Sequence, residues 1–440
     1  MKDNSYSVEV NMYSEDSNRI IIVDAHNDTM MKVVDSETFH PVIDIGQDTQ
    51  FHIDLPKMRK GQVNIAYFAA YTTDYGNIEK NNSTILASIN ALKYTEIMNP
   101  EAFCIAEDYA QLEKALVEDK RIGIQTIEGG YAFNQENANH LLSQYADLNV
   151  KAIALLWNFS NTIGEGNLEQ YRDETPSQGG LTELGKWMIT EMENRDILVD
   201  VSHMNARTFW DTIKISKKPI IASHSGAAAV KSHGRNLSDD QLRAVADLGG
   251  VVNVVFCRYF IGDAESGVSE LVDHIEHIVN VIGDDHVGLG SDFDGATMPV
   301  DLLDISEIGK ISEELIKRGF QKDSIRKILG LNNLRILKMI MSTHKTSQKW
   351  DVRIEHGLYG NMDAVWLTLD AASFLKISEH DATIRCLFDG QELECFIHHD
   401  SKQIVAYLEH SVKEPFHVTT FEVTFEDDVR HFCTEVLALK

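Results

Sequence analysis

The chain has 440 residues, 43% of them hydrophobic and 25% charged, and its 40 Lys+Arg against 68 Asp+Glu give a formal net charge of -28. So acidic a surface repels phosphate backbones and anionic bilayers, which argues against a nucleic-acid or membrane partner. No stretch approaches the roughly 18 apolar residues of a membrane span, and the five scattered cysteines form no CxxC pair, which argues against a thiolate zinc site or a disulfide framework.

Residues 1–19 are polar and lack the apolar run of a secretory signal, so the expected compartment is the cytoplasm. Short apolar runs then predict eight strands, at 21–25, 63–71, 121–127, 150–157, 197–202, 219–223, 249–256 and 287–291. Their near-continuous apolar character suits strands covered on both faces, as in parallel sheets. Helical patterns lie between most of them, at 83–98, 106–118, 136–147, 181–194, 204–215, 239–248 and 268–281, and two more follow near 303–318 and 322–341. This alternation predicts right-handed βαβ units, and eight strands favour a closed (β/α)8 TIM-type barrel of the α/β class over residues 20–342.

The pattern changes at STHKTSQKWD, which reads as a linker. Alternating segments follow, among them AVWLTLD, ATIRCLF, ELECFIHH and QIVAYLE. The stretch IRCLF-DG-QELECFI predicts a hairpin around an Asp-Gly turn, where glycine accepts the positive φ of a tight turn. Residues 350–440 are therefore expected to form a small β-rich or α+β domain, whose role the pattern does not indicate.

Chemistry-bearing residues fall where the predicted strands end. His26 and Asp28 follow the first run, Glu128 the third, His203 the fifth, His224 the sixth and Asp292 the eighth. In such barrels the C-terminal strand ends converge on one mouth. His26 and Asp28, at i and i+2, share a strand face and can reach one metal. His-x-Asp also occurs at His52/Asp54 and His398/Asp400, but only the first pair closes an apolar strand at the start of the barrel. Glu128, before Gly129-Gly130, has two oxygens with which to bridge a pair of metals. Neutral imidazoles at His203 and His224 suit zinc and similar borderline ions, and with Glu128 they complete a second ligand set.

Asp292 in GLGSDFDG ends its strand directly and is the candidate proton carrier, with Asp294 left to orient the loop. A third metal ligand or a loop cap is the alternative for Asp292. Arg235 in KSHGRNLSDD offers a planar fork for a substrate carboxylate, the alternative being an ion pair with Asp239 or Asp240. Ser238-Asp239-Asp240 looks like a helix N-cap region.

The segments VDAHND, IEGG, VDVSH, ASHSGA, HGRNLSDD and GLGSDFDG, in this order, resemble the membrane dipeptidase (renal dipeptidase) family of zinc peptidases, as does FHIDLPKMRKGQV. The resemblance covers residues 20–340 and is closest to soluble bacterial members. It implies a binuclear zinc site with His26 and Asp28 on one ion, His203 and His224 on the other, and Glu128 bridging. It implies Asp292 as proton shuttle, Arg235 as the grip on the terminal carboxylate, and dipeptide substrates, often with a D-residue at the C-terminal position. Animal members place a substrate-contacting histidine after the fourth strand. Here LLWNFSNTIGEG puts Asn158 nearest that position, as a neutral hydrogen-bonding group.

The expected reaction is peptide hydrolysis by a metal-bridging hydroxide, with Asp292 moving the proton and Asn158 beside the oxyanion. Hydrolysis of another small amide, such as an N-acyl amino acid or a lactam, keeps the same centre and changes the substrate. A non-catalytic barrel scaffold is the reading of a different class. The expected partner is a small dipeptide, with self-association left open.

Overall fold

The computed structural model describes residues 20–168 and 179–341, and within 352–433 eight strands with their pairing. In the first part nine parallel strands run β1 Val23–Asn27, β2 Ile65–Tyr71, β3 Phe103–Ile105, β4 Arg121–Glu128, β5 Val150–Ala154, β6 Leu198–Asp200, β7 Ile221–Ser225, β8 Val251–Val255 and β9 Val287–Gly290. Eight of them close a ring in the order β2-β1-β9-β8-β7-β6-β5-β4, and β4 returns to β2. The fold is the expected closed barrel with helices between its strands.

The short β3 is the strand the pattern missed. It pairs with Arg121–Gly123 at the start of β4, and β5 pairs with β4 only from Gln125 onward. Three residues are too few to show a period, so only the free edge of β4 makes this segment a strand.

The barrel strands are buried on both faces, all eight residues of β4 included. Inward side chains such as Val23, Ile65, Ile122, Leu198, Ile221 and Val251 fill the interior. Outward ones such as Phe68, Ile127, Val199, Val252 and Leu289 pack beneath the helices. Burying each contributes about 1.5–3 kcal/mol, so the framework that aims the strand ends is stiff. The helices largely match their expected spans, for example Glu183–Asn194, Asp239–Asp247 and Val268–Ile282. Ser238 caps the helix Asp239–Asp247, and the Gln241 side chain accepts the Ser238 N–H at 2.9 Å in return. Asp54 caps the helix Leu55–Lys60, which accounts for the second His-x-Asp pair.

Beyond residue 351 the chain is strand-rich. One antiparallel sheet has the order β10-β11-β15-β14, from β10 Val352–Tyr359, β11 Met362–Leu369, β14 Cys395–His398 and β15 Gln403–Tyr407. The other runs β13-β12-β16-β17, from β12 Thr383–Phe388, β13 Gln391–Leu393, β16 Thr419–Thr424 and β17 Val429–Cys433. The expected hairpin is present as β12–β13, with Phe388 opposite Gln391. Its Asp-Gly turn lies outside the described residues, and the chain leaves for the other sheet at Cys395.

Candidate metal centre

The C-terminal ends of five strands bring the predicted ligands and Asp292 to one mouth. His26 is on β1 with Asp28 just beyond it, Glu128 is the last residue of β4, and His224 is on β7. His203 lies three residues past β6 with φ +68°, and Asp292 two past β9 with φ +62°. A left-handed backbone is uncommon outside glycine and asparagine-like residues, and at strand ends it marks a chain bent to aim a side chain. Gly129, at φ +94°, turns the chain away behind Glu128, where a Cβ would collide with the Thr72 carbonyl oxygen.

The ligand atoms converge. His203 Nε2 lies 2.8 Å from Glu128 Oε1 and 3.0 Å from His224 Nε2, and His224 Nε2 is 3.5 Å from the same oxygen. On the other side His26 Nε2 lies 3.5 Å from Glu128 Oε2 and 3.8 Å from Asp28 Oδ2. Glu128 thus presents one oxygen to each set. His26, Glu128 and His224 offer ligand atoms within 4.8 Å of one another, as do His26, Asp28 and Asp292.

This donor set fits cations. His26 Nε2 and Asp28 Oδ1 are buried without a hydrogen-bond partner. A buried unsatisfied polar atom costs about 1–3 kcal/mol, and a divalent ion removes that cost at both atoms. The rings are close as well, His26 stacking on His224 with centroids 3.8 Å apart. Among the groups themselves, burial pulls His26 down, but Glu128 and Asp28 outweigh it and hold it well above the usual histidine range. His203 is pushed down to about 4 by burial and the Arg235 charge. Burial and the adjacent Asp28 charge lift Asp292 well above the usual carboxylate range. Crowded carboxylates that share protons release them to cations.

Around this set lie residues that the spacing did not single out. Asp24 accepts the Ser291 N–H at 2.7 Å and its hydroxyl at 2.8 Å, tying β1 to the exit of β9. Ser223 Oγ lies 2.8 Å from His224 Nδ1. An acid inside an apolar strand, as in IIVDA and ILVDVS, is the signal that could have found such clasps, because only a satisfied carboxylate is tolerated there.

Asp292 and Asp294 separate cleanly. Asp294 is held by Thr29 Oγ1 at 2.7 Å, Lys32 Nζ at 3.1 Å and the His52 N–H at 3.0 Å, so it anchors the loop. Asp292 donates its N–H to the His26 carbonyl at 3.0 Å and keeps its carboxylate beside Asp28. Gly295 permits this approach, since a Cβ there would collide with Asp28.

Arg235 is buried in the loop after β7. Its Nη2 donates to the His224 carbonyl at 3.0 Å, its guanidinium lies 5.7 Å from the Phe260 ring centroid, and its buried Nε has no partner. The alternative pairing is not formed, because Asp239 meets His277 at 2.8 Å and Asp240 meets Arg243 at 2.9 Å. Across the ring, Tyr71 and Trp157 pack edge to face at 5.3 Å beside Glu128. Asn158 is at the mouth, but its Oδ1 lies 3.0 Å from His203 Nδ1.

The family model for membrane dipeptidases, peptidase family M19, matches residues 14–350. A Klebsiella pneumoniae protein named "Uncharacterized protein in pqqA 5'region" is 36% identical over 229 residues, 51% of this chain and 84% of that protein. The crystal structure of dipeptidase AC, a metallo peptidase of family M19, is 26% identical with a TM-score of 0.65, covering 74% of this chain and 99% of that one. A Rhodobacter sphaeroides metallo peptidase liganded with a phosphinate mimic of L-Ala-D-Ala is also 26% identical with a TM-score of 0.65, covering 72% and 99%.

Proposed function

The chain belongs to the membrane dipeptidase family of metallo-dipeptidases, and on that footing we propose that it hydrolyses dipeptides at a centre of two zinc ions. The observation that carries this reading is the convergence of His26, His203 and His224 on the two oxygens of Glu128, with buried atoms of His26 and Asp28 left unpartnered. His26 and Asp28 would hold one ion and His203 and His224 the other, with Glu128 placed to serve both sets. When bound, the two ions polarise the scissile carbonyl and acidify a water.

The chain's own residues do the rest. The unpartnered Arg235 Nε faces a buried setting in which a substrate carboxylate supplies the missing acceptor. That grip restricts substrates to short peptides. Asp292 takes a proton from the attacking water and delivers it to the leaving amine as the C–N bond breaks. A D-residue at the C-terminal position is supported by the L-Ala-D-Ala mimic in the Rhodobacter sphaeroides relative. A reducing cytoplasm is the proposed setting, consistent with free thiols at Cys104, Cys257, Cys386 and Cys395; no helix among the described residues is long and apolar enough to cross a membrane. Residues 350–440 are proposed as a separate small domain.

The test is metal analysis joined to a substrate panel. Two zinc ions per chain and cleavage of L-Ala-D-Ala are expected. Two zincs with turnover only of N-acyl amino acids or lactams reassigns the substrate, and absence of metal after zinc loading removes the centre.

A further inference from the structure

The geometry points to Asn158 as a positioning residue for His203, an assignment that rests on the metal-centre reading above. A neutral imidazole carries one N–H. If His203 Nε2 is to face a cation beside Glu128 and His224, its lone pair must be there and the proton must sit on Nδ1. The acceptor for that proton is Asn158 Oδ1, at 3.0 Å.

His203 needs such an outside partner more than the other two histidines. His26 and His224 lie within β1 and β7, whose ladders hold their main chains. His203 lies beyond β6 in a left-handed turn. Its ring is oriented from the segment that follows β5, and that segment is bound to the same turn. Asn167 donates its N–H to the His203 carbonyl at 2.8 Å, and Leu168 donates to the Asn158 carbonyl at 2.9 Å. Gly166 bridges to Met204, and a Cβ at Gly166 would come within 2.6 Å of the Asn158 main chain. Both ends of the Asn158–His203 hydrogen bond are therefore anchored to one another through the backbone.

The Asn158 amide oxygen is thus engaged by a metal ligand, which leaves its amide N–H groups for the oxyanion expected at the mouth. Partners of this kind fix a histidine ligand's tautomer and aim, and losing one typically weakens metal binding about 10–100-fold.

The experiment titrates zinc against a chromogenic chelator in the unaltered full chain, N158A and N158D, with circular dichroism to follow the fold. N158A should bind one of its two zincs about 10–100-fold more weakly and keep the other. N158D, which retains an acceptor, should recover that affinity. At saturating zinc, N158A should show a KM within about twofold of the unaltered chain, since substrate grip lies with Arg235. Equal zinc affinity in N158A, with loss confined to KM, overturns the proposal and returns Asn158 to the substrate. Absence of zinc from the unaltered chain is the distinct result that removes the centre itself.

Discussion

Asp200 Oδ1 accepts the main-chain N–H of Ser202 at 2.9 Å and of Ser223 at 3.0 Å. One buried carboxylate therefore joins the exit of β6 to β7, immediately before His203 and His224. The separation of the two histidine nitrogens, 3.0 Å, is set by this clasp as well as by the strands.

Removing the clasp leaves two buried N–H donors unsatisfied. D200A is expected to destabilise the metal-free chain by on the order of 3 kcal/mol and to weaken zinc binding. Urea unfolding in the presence of a chelator measures the first effect. A change within about 0.5 kcal/mol, the range of an ordinary surface substitution, would show that the clasp is not needed.

Asp292 is not required to hold the metals in the proposed scheme. D292N should retain both zincs and lose about 10²–10⁴-fold in turnover, the usual weight of a general acid–base group. Zinc content and kcat are measured on the same preparation. Loss of one zinc would instead make Asp292 a ligand, the role its place near His26 and Asp28 also permits.

Arg235 combines a planar fork with a stack on Phe260. A lysine keeps the charge but neither the fork nor the stack. R235K should therefore raise KM at least about tenfold with a smaller change in kcat, the pattern of a lost binding contact. Steady-state kinetics on a dipeptide and on its C-terminal amide provide the check. Equal loss on both substrates would argue against a carboxylate grip.

His274, fully buried in the helix Val268–Ile282, accepts the Ala227 N–H at Nδ1 (2.9 Å) and donates from Nε2 to the Ile261 carbonyl (3.1 Å). Burial lowers its pKa below the usual 6.5. Between that depressed value and 6.5 the unfolded chain binds more protons than the folded one. Stability contributed by the neutral ring is thus present above 6.5 and is lost as pH falls through the folded value. Urea unfolding of the metal-free chain and H274Q across this window should show a shallower pH dependence in the variant. Parallel profiles would falsify the assignment.

The strand–helix alternation and the placement of His26, Asp28, Glu128, His203, His224 and Asp292 after apolar runs were legible because both are local. Burial on two faces writes a continuous apolar run, and barrel topology carries the ends of such runs to one mouth. The hairpin β12–β13 was legible for the same reason, through its Asp-Gly turn. The short β3 was not, since its pairing depends on an edge of β4 that no local pattern records.

Other assignments needed the tertiary structure. The chain order favoured Asp292 over Asp294 as the proton carrier but could not show what holds Asp294 in place. Lys32, some 262 residues away, together with Thr29 and His52, holds Asp294 and leaves Asp292 facing Asp28. Nor could it show that Asn158 spends its oxygen on His203 or that Arg235 stands apart from Asp239 and Asp240. The sequence by itself determined a barrel and which side chains its mouth receives, because periodicity and strand order are properties of neighbours along the chain. Which polar atom meets which was decided by the folded structure, because hydrogen bonds and ion pairs form over a few ångströms between groups that the chain keeps far apart.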